Sequence, residues 1–298
     1  MQRTMAYILF SHMGAMGLLN WMQDEQYLKT QYYLKMHRKL NLDNPVTMNE
    51  KLQWLKIHDR KSCYCEYVDK YLVRDHIKRA VGSEVLIPLI GVWESPKDID
   101  FNMLPNQFVL KCNHDSGGVI ICKDKSKLDV NKTRRVLNRK QHKDYSLGNR
   151  EWPYKNVHRC VLAEQYLEDG NKEGSIIDYK FYCFNGIPEC VIACVDRTPQ
   201  NAKFIYYDNE WNRLDYNFQT FEEQNCKVCK PDNFSEMIDI AKKIAMYVDC
   251  AFIRVDLFNV NKKIYFGEIT FYPHSGMDTT LRPEIDCYFG SKIRLPLE

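Results

Sequence analysis

The sequence predicts an α+β protein, on three observations. A mainly helical first third gives way to a strand-rich remainder. The turn dipeptide Asn185-Gly186 sits between two apolar runs and predicts an antiparallel hairpin. Met237, Ala241, Ile244, Ala245 and Val248 recur at helical spacing and predict a helix packed on a sheet.

The elements follow in chain order. The run 6–22 is apolar but holds Ser11, His12 and Asn20, and it is short for a membrane span, which needs about 20 apolar residues. It predicts a helix packed on the body of the protein. The alternative is a Met-rich interfacial helix resting on a membrane, an option that Lys35, His37, Arg38 and Lys39 keep open. No cleavage pattern of a signal peptide follows. Thr47-Met48-Asn49-Glu50 has the form of a capping box and predicts the start of a helix carrying Leu52 and Leu55. A further helix is expected from about 66 to 80, stopping at Gly82. Strands are expected at 108–111 and 119–122, around a polar loop with two glycines. The basic segment 134–143 reads as an exposed helix. Later strands are expected at 160–167, 179–184, 190–195, 252–258 and 264–270.

At 298 residues and 45% hydrophobic, the chain can bury a substantial core, and its 13% aromatic content argues against disorder. A net charge of +3 gives a nucleic-acid partner no support. The 12 cysteines do not form a disulfide framework and are expected as buried free thiols in a reducing cytoplasm. Cys63-x-Cys65 and Cys226-x-x-Cys229 offer four thiolates for zinc, but their unequal spacing and distance in the chain favour unrelated cysteines.

Three constellations carry chemistry. On the last hairpin, Arg254 and Asp256 share a strand face, as do Glu268 and Thr270. A three-residue loop, Asn261-Lys262-Lys263, would set Asp256 opposite Glu268 and Arg254 opposite Thr270. Two facing carboxylates repel unless a cation intervenes. Mg²⁺ with oxygen ligands is one solution, and a structural ion cluster with Arg254 or a lysine is the other. The second constellation is the strand end Lys111 with the loop Cys112-Asn113-His114-Asp115-Ser116-Gly117-Gly118, where glycine amides and a lysine suit phosphate. It is not a Walker loop, because a strand follows it. The third is Val161-Leu162-Ala163-Glu164-Gln165-Tyr166-Leu167-Glu168, a strand end that could offer backbone groups to a base and a carboxylate to a ribose.

Together with Asn49-Glu50-Lys51-Leu52-Gln53-Trp54-Leu55, Val68-Asp69-Lys70-Tyr71, Arg150-Glu151-Trp152-Pro153-Tyr154-Lys155-Asn156, Asp178-Tyr179-Lys180-Phe181 and Gly267-Glu268-Ile269-Thr270-Phe271-Tyr272-Pro273, these stretches resemble the TupA-like ATP-grasp family. The resemblance runs from about residue 40 to the C-terminus. It implies an ATP-grasp fold, two α+β subdomains clamping ATP, preceded by a helical N-terminal region. The boundaries expected are 1–64 for that region and 65–298 for the ATP-grasp domain, divided into 65–159 and 160–298.

The resemblance also implies roles. Lys70 and Lys111 would meet the nucleotide phosphates, and Ser116, Gly117 and Gly118 would cover them. Glu164, Gln165, Tyr166 and Leu167 would cradle adenine, with Glu168 on the ribose. Asp256 and Glu268 would hold Mg²⁺, and Arg254 with Lys111 would stabilise the transferred phosphoryl group. Asp115 stands where a glycine is expected, and Thr270 where many relatives place a metal-binding asparagine. The implied activity is a carboxylate–amine ligase acting on a sugar acid of a surface polysaccharide, in the cytoplasm or at the inner face of the membrane. Lys180, Arg197 and His274 are candidates for gripping the acceptor. The rival readings are a glycosyltransferase, which the lack of an Asp-x-Asp motif disfavours, an ATP-grasp kinase, and a binding module without turnover.

Overall fold

The computed structural model describes residues 4–115, 118–169, 176–196 and 202–296. Five helices come first: α1 (Met5–Ala15), α2 (Asp24–Met36), α3 (Met48–His58), α4 (Tyr64–Val68) and α5 (Val73–Val81). The expected capping box opens α3. The Thr47 hydroxyl accepts from the Glu50 amide at 3.2 Å, and the Glu50 carboxylate accepts from the Thr47 amide at 3.0 Å. The single helix expected from 66 to 80 is instead α4 and α5 with a break between them. Asp69 makes the break, because its carboxylate accepts from the amides of Tyr71 at 2.7 Å and Leu72 at 3.2 Å. Gly82 ends α5 with φ of 97°, as its position predicts.

The apolar run 6–22 is helical only as far as Ala15. Its inner face packs closely, for a Cβ on Gly14 would lie 1.9 Å from the Tyr27 hydroxyl. Its outer face leaves Met5, Leu9, Met16, Leu18 and Trp21 exposed. Among the described residues no helix is long and apolar enough to cross a membrane.

Two antiparallel sheets follow. The smaller contains β1 (Leu89–Trp93), β2 (Phe108–Cys112), β3 (Ile120–Cys122) and β4 (Val161–Gln165), in the order β1-β4-β2-β3. Between β3 and β4 lie α6 (Val130–Gln141) and α7 (Tyr145–Asn149). The strand β4 lies within the range 160–298 expected for the larger subdomain, yet it pairs with β1 and β2 of the smaller sheet. Burial accounts for this: Val161 and Ala163 join Phe108, Leu110 and Leu137 in a separate small core.

The larger sheet contains β5 (Asp178–Phe184), β6 (Ile187–Val195), β7 (Lys203–Tyr207), β8 (Arg213–Leu214), β9 (Phe252–Val260) and β10 (Lys263–Thr270), in the order β10-β9-β5-β6-β7-β8. The Asn185-Gly186 turn joins β5 to β6, both residues at positive φ. The short helix α8 (Phe221–Gln224) and the long α9 (Phe234–Val248) precede β9, and α10 (Pro283–Lys292) closes the chain. Met237, Ala241, Ile244, Ala245 and Val248 of α9 are all buried, as their spacing predicts. Phe181 stacks on Phe234 of α9, so odd-numbered residues of β5 face that helix and even-numbered ones the opposite side.

Candidate active site

The β9–β10 hairpin sets Asp256 opposite Glu268 and Arg254 opposite Thr270. It reaches this register by a route other than the three-residue loop. The turn has two residues, Asn261 and Lys262, both left-handed with φ of 52° and 64°, and Lys263 pairs with Val260. Left alone, that turn would put Phe266 and Glu268 on one face. A bulge at Gly267 intervenes, so Phe266 faces Leu257 in the core while Glu268 faces Asp256. Glycine relieves crowding there, because a Cβ would lie 3.0 Å from the Asp256 carbonyl oxygen.

The even-numbered face of β5 adds Asp178 and Lys180, with Lys180 paired to Asp256. Arg254 grips Asp256 with both arms, Nε to Oδ1 at 2.6 Å and Nη2 to Oδ2 at 2.7 Å, and reaches Glu268 Oε1 at 3.2 Å. Lys180 Nζ lies 2.5 Å from Asp256 Oδ2 and also bonds Asp178. Burial alone would favour neutral groups. Burial is the largest single influence at Arg254 and Lys180, but the nearby carboxylates, Asp256 foremost, together outweigh it and hold both cations above their ordinary pKa. Burial would likewise raise Asp256, but Arg254 and Lys180 together hold it below the usual carboxylate range. At Asp178 burial prevails and raises the pKa. The ion cluster that the sequence offers as an alternative therefore forms around Asp256. Glu268 stays the more open carboxylate, its side chain 34% exposed.

On the smaller sheet, Lys111 of β2 and Glu164 of β4 are diagonal neighbours on one face. Lys111 Nζ sits 2.5 Å from Glu164 Oε2, and Arg74 of α5 sits 3.1 Å from Oε1. The Glu164 side chain thus turns toward Lys111. The stretch after it leaves the sheet from between two strands: Gln165 lies opposite Phe108, and its amide donates to the Pro88 carbonyl at 2.9 Å. Tyr166 carries Lys123 over its ring at 5.8 Å. Leu167 is half-buried, and Glu168 is exposed, its carbonyl accepting from Asn261 at 3.1 Å.

Lys70 bonds the backbone carbonyl of Asp115, which places it at the glycine loop. Buried Asn113 anchors that loop, donating to Asp69 at 2.8 Å and to the His158 carbonyl at 2.7 Å. Asp115 is buried, with Lys140 at 3.8 Å, and folds against Gly118, where a Cβ would lie 1.7 Å from its carboxylate. Ser116 and Gly117 lie outside the described residues, as does the acceptor candidate Arg197. Of the other two candidates, Lys180 belongs to the ion cluster, and His274 stands just past β10 with φ of 50° and Asp278 at 3.7 Å.

Sequence reasoning passed over a polar stripe on α3. Asn49, Gln53 and Lys56 are fully or almost fully buried and grip the backbone just past β10. Gln53 donates to the carbonyls of Ser275 at 2.9 Å and Gly276 at 2.6 Å. Lys56 donates to the Ser275 carbonyl and to the Asn149 carbonyl, both at 2.9 Å, and to Gln53 at 3.1 Å. Asn49 pairs with the backbone of Asp278 at 2.7 and 3.2 Å. The gripped loop needs this support, since His274, Ser275 and Gly276 are three consecutive left-handed residues. The signal available was the period: positions 49, 53 and 56 share one helix face, and all three are polar.

The pair expected to hold a metal, Asp256 and Glu268, stands face to face, with both Asp256 oxygens bonded to Arg254 and Lys180. Among the described residues no cluster of three or more His, Cys, Asp or Glu side chains is arranged to hold an ion, which leaves Cys63, Cys65, Cys226 and Cys229 as separate free thiols. Two facing carboxylates suit Mg²⁺, which binds through one or two carboxylates and completes its shell with phosphates and water. With all three acids ionised, the cluster of three acids and two bases sums to one negative charge, and with Asp178 protonated it sums to zero.

The profile of the family described as TupA-like ATPgrasp matches residues 50–294. A comparison with curated protein sequences finds no match. Among solved structures, the D-alanine–D-alanine ligase of Bacillus anthracis complexed with ATP is 15% identical with a TM-score of 0.43, covering 75% of this chain and 60% of that one. The L-amino acid ligase of Bacillus licheniformis is 10% identical with a TM-score of 0.48, covering 86% of this chain and 57% of that one. The chain thus spans less than two thirds of the length of these ligases.

Proposed function

The chain belongs to the TupA-like ATP-grasp family, and from that premise we propose that it is an ATP-dependent ligase that joins a carboxylate to an amine and releases ADP. The observation that carries the reading is the facing pair Asp256 and Glu268 with Arg254 bonded to both. ATP would lie between the two sheet-bearing subdomains. Lys70, Lys111 and the Ser116-Gly117-Gly118 loop would meet its phosphates. The main chain from Glu164 through Leu167 would meet adenine, and Glu168 the ribose.

An oxygen of the acceptor carboxylate attacks the γ-phosphorus, and the bond to the bridging oxygen breaks as ADP leaves with the electron pair. An amine then displaces phosphate from the acyl phosphate and gives up a proton, leaving an amide. No side chain need form a covalent intermediate. Arg254 and Lys111 stabilise the negative charge that gathers on the transferring group, where a fixed cation is worth most. Mg²⁺ on Asp256 and Glu268 would neutralise phosphate oxygens. Lys180, Arg197 and His274 would grip the acceptor, which the family's association with teichuronopeptide makes a uronic acid of a surface polysaccharide, with an amino acid or another amine as partner. The work would be done in the cytoplasm, with peripheral contact at the inner face of the membrane through α1 as the alternative.

Thermal unfolding tests the nucleotide half. Mg-ATP at about 100 times its Kd should add about 2.7 kcal/mol, a shift of several degrees in Tm. The shift should shrink in Glu268→Gln. A wild type that shifts with sugar nucleotides and not with Mg-ATP would replace this reading with the glycosyltransferase. Product analysis tests the other half: ADP with an amide supports it, whereas AMP or a stable phosphorylated product sinks it.

A further inference from the structure

The ion group on the smaller sheet has one more member than the reading above uses. Glu164 has a side chain 8% exposed, and its two oxygens are divided between Arg74 at 3.1 Å and Lys111 at 2.5 Å. A carboxylate this deeply buried needs a cation, because it has too little water to stand in for one. If Lys111 turns to a phosphate, Glu164 must keep another partner. Arg74 is built for that. It rises from the first turn of α5 with its side chain 15% exposed. Its second nitrogen, Nη2, donates to the Ile87 carbonyl at 2.8 Å, so the guanidinium is fixed by one arm while the other holds the carboxylate. A guanidinium keeps its charge at any working pH and presents its donors as a rigid fork.

We infer that Arg74 is a positioning residue of the nucleotide site, holding Glu164 so that Lys111 is free to engage a phosphate. The inference rests on Lys111 being a phosphate ligand. Two cations around one carboxylate leave a surplus of one positive charge for the nucleotide. Without Arg74, Lys111 and Glu164 form a closed neutral pair, and phosphate must break it.

Calorimetric titration with Mg-ADP and with adenosine, on the whole protein, decides the matter. Arg74→Met should weaken Mg-ADP about tenfold while leaving adenosine within about twofold, because the lost term is electrostatic and the base carries no charge. In a Glu164→Gln background the same Arg74 substitution should cost no more than about twofold, since the pair it prevents no longer exists. Arg74→Lys keeps the charge without the fork and should fall between. Unchanged Mg-ADP affinity in Arg74→Met, an equal loss for adenosine, or a loss that persists in full in the Glu164→Gln background would each overturn the inference. Should Arg74→Met prove unfolded, the Arg74→Lys comparison in both backgrounds makes the same test. A wild type that binds adenosine and Mg-ADP equally, or neither, would instead refute the phosphate role of Lys111 on which the inference depends.

Discussion

Lys56 has no exposed surface, yet it presents an amino group to two carbonyls and an amide oxygen. Burial lowers its pKa to about 8, with Lys35 pushing the same way and Glu151 opposing. Enclosure raises Glu151 in turn. The linkage has a definite sign. Below pH 8 Lys56 is protonated in both the folded and unfolded protein. Between 8 and its ordinary 10.5 the folded protein has released the proton and the unfolded chain still holds it, so stability rises with pH. At about 1.4 kcal/mol per unit the gain is about 3 kcal/mol across that window. Urea unfolding at pH 7 and pH 10 should show it in the wild type and not in Lys56→Met. Equal slopes in the two proteins would contradict the assignment. The strand positions of Lys111, Arg254 and Asp256 were legible because each stands in a local motif. Their settings were not. Lys111 and Glu164 are 53 positions apart, and Arg74 and Glu164 are 90 apart, and no local pattern announces a pair formed over such a distance.

At the scale of elements, the hairpins were legible because a turn and its flanking alternation lie within one short window. The β9–β10 pair was legible in its outcome and not in its construction. Asn-Lys is an uncommon pair for a two-residue turn, and nothing local to Phe266-Gly267-Glu268 shows that the extra residue sits there as a bulge. Two glycines separate the site from the scaffold. Gly267→Val drives a side chain against the Asp256 carbonyl and should cost about 1–3 kcal/mol while abolishing most of the Mg-ATP shift in Tm. Gly186→Ala, at φ of 81° in the distant β5–β6 turn, should cost about 1 kcal/mol through backbone strain and leave the shift intact. Equal loss of the shift in both would mean that the bulge has no special bearing on the site. The break between α4 and α5 escaped the sequence because Asp69 acts there as a turn maker within an otherwise helical run.

For the whole molecule, the α+β class was legible from local periodicity, while the allocation of β4 to the smaller sheet was not. Its neighbours β1 and β2 lie dozens of residues upstream, and only packing selects them. The same long reach governs α3. Its Asn49 amide bonds Asp286, its Asn49 side chain holds Asp278, and its Lys51 reaches the carbonyl of Ile293 at 2.8 Å. Arg38, just upstream, pairs with Asp286 at 2.6 Å. These partners are 229 to 248 positions away. A ribosome therefore delivers the polar stripe of α3 222 to 229 residues before its counterparts at Ser275, Gly276 and Asp278. Until those residues are made, Asn49 and Gln53 lack their partners, so α3 is a longer-lived target for proteases and chaperones. Nascent chains arrested before residue 278 should be cut within 38–58 by a limiting dose of protease, and chains released at full length should resist it. Arrival of the segment that follows β10, more than formation of either sheet, is what gives the buried stripe of α3 its partners.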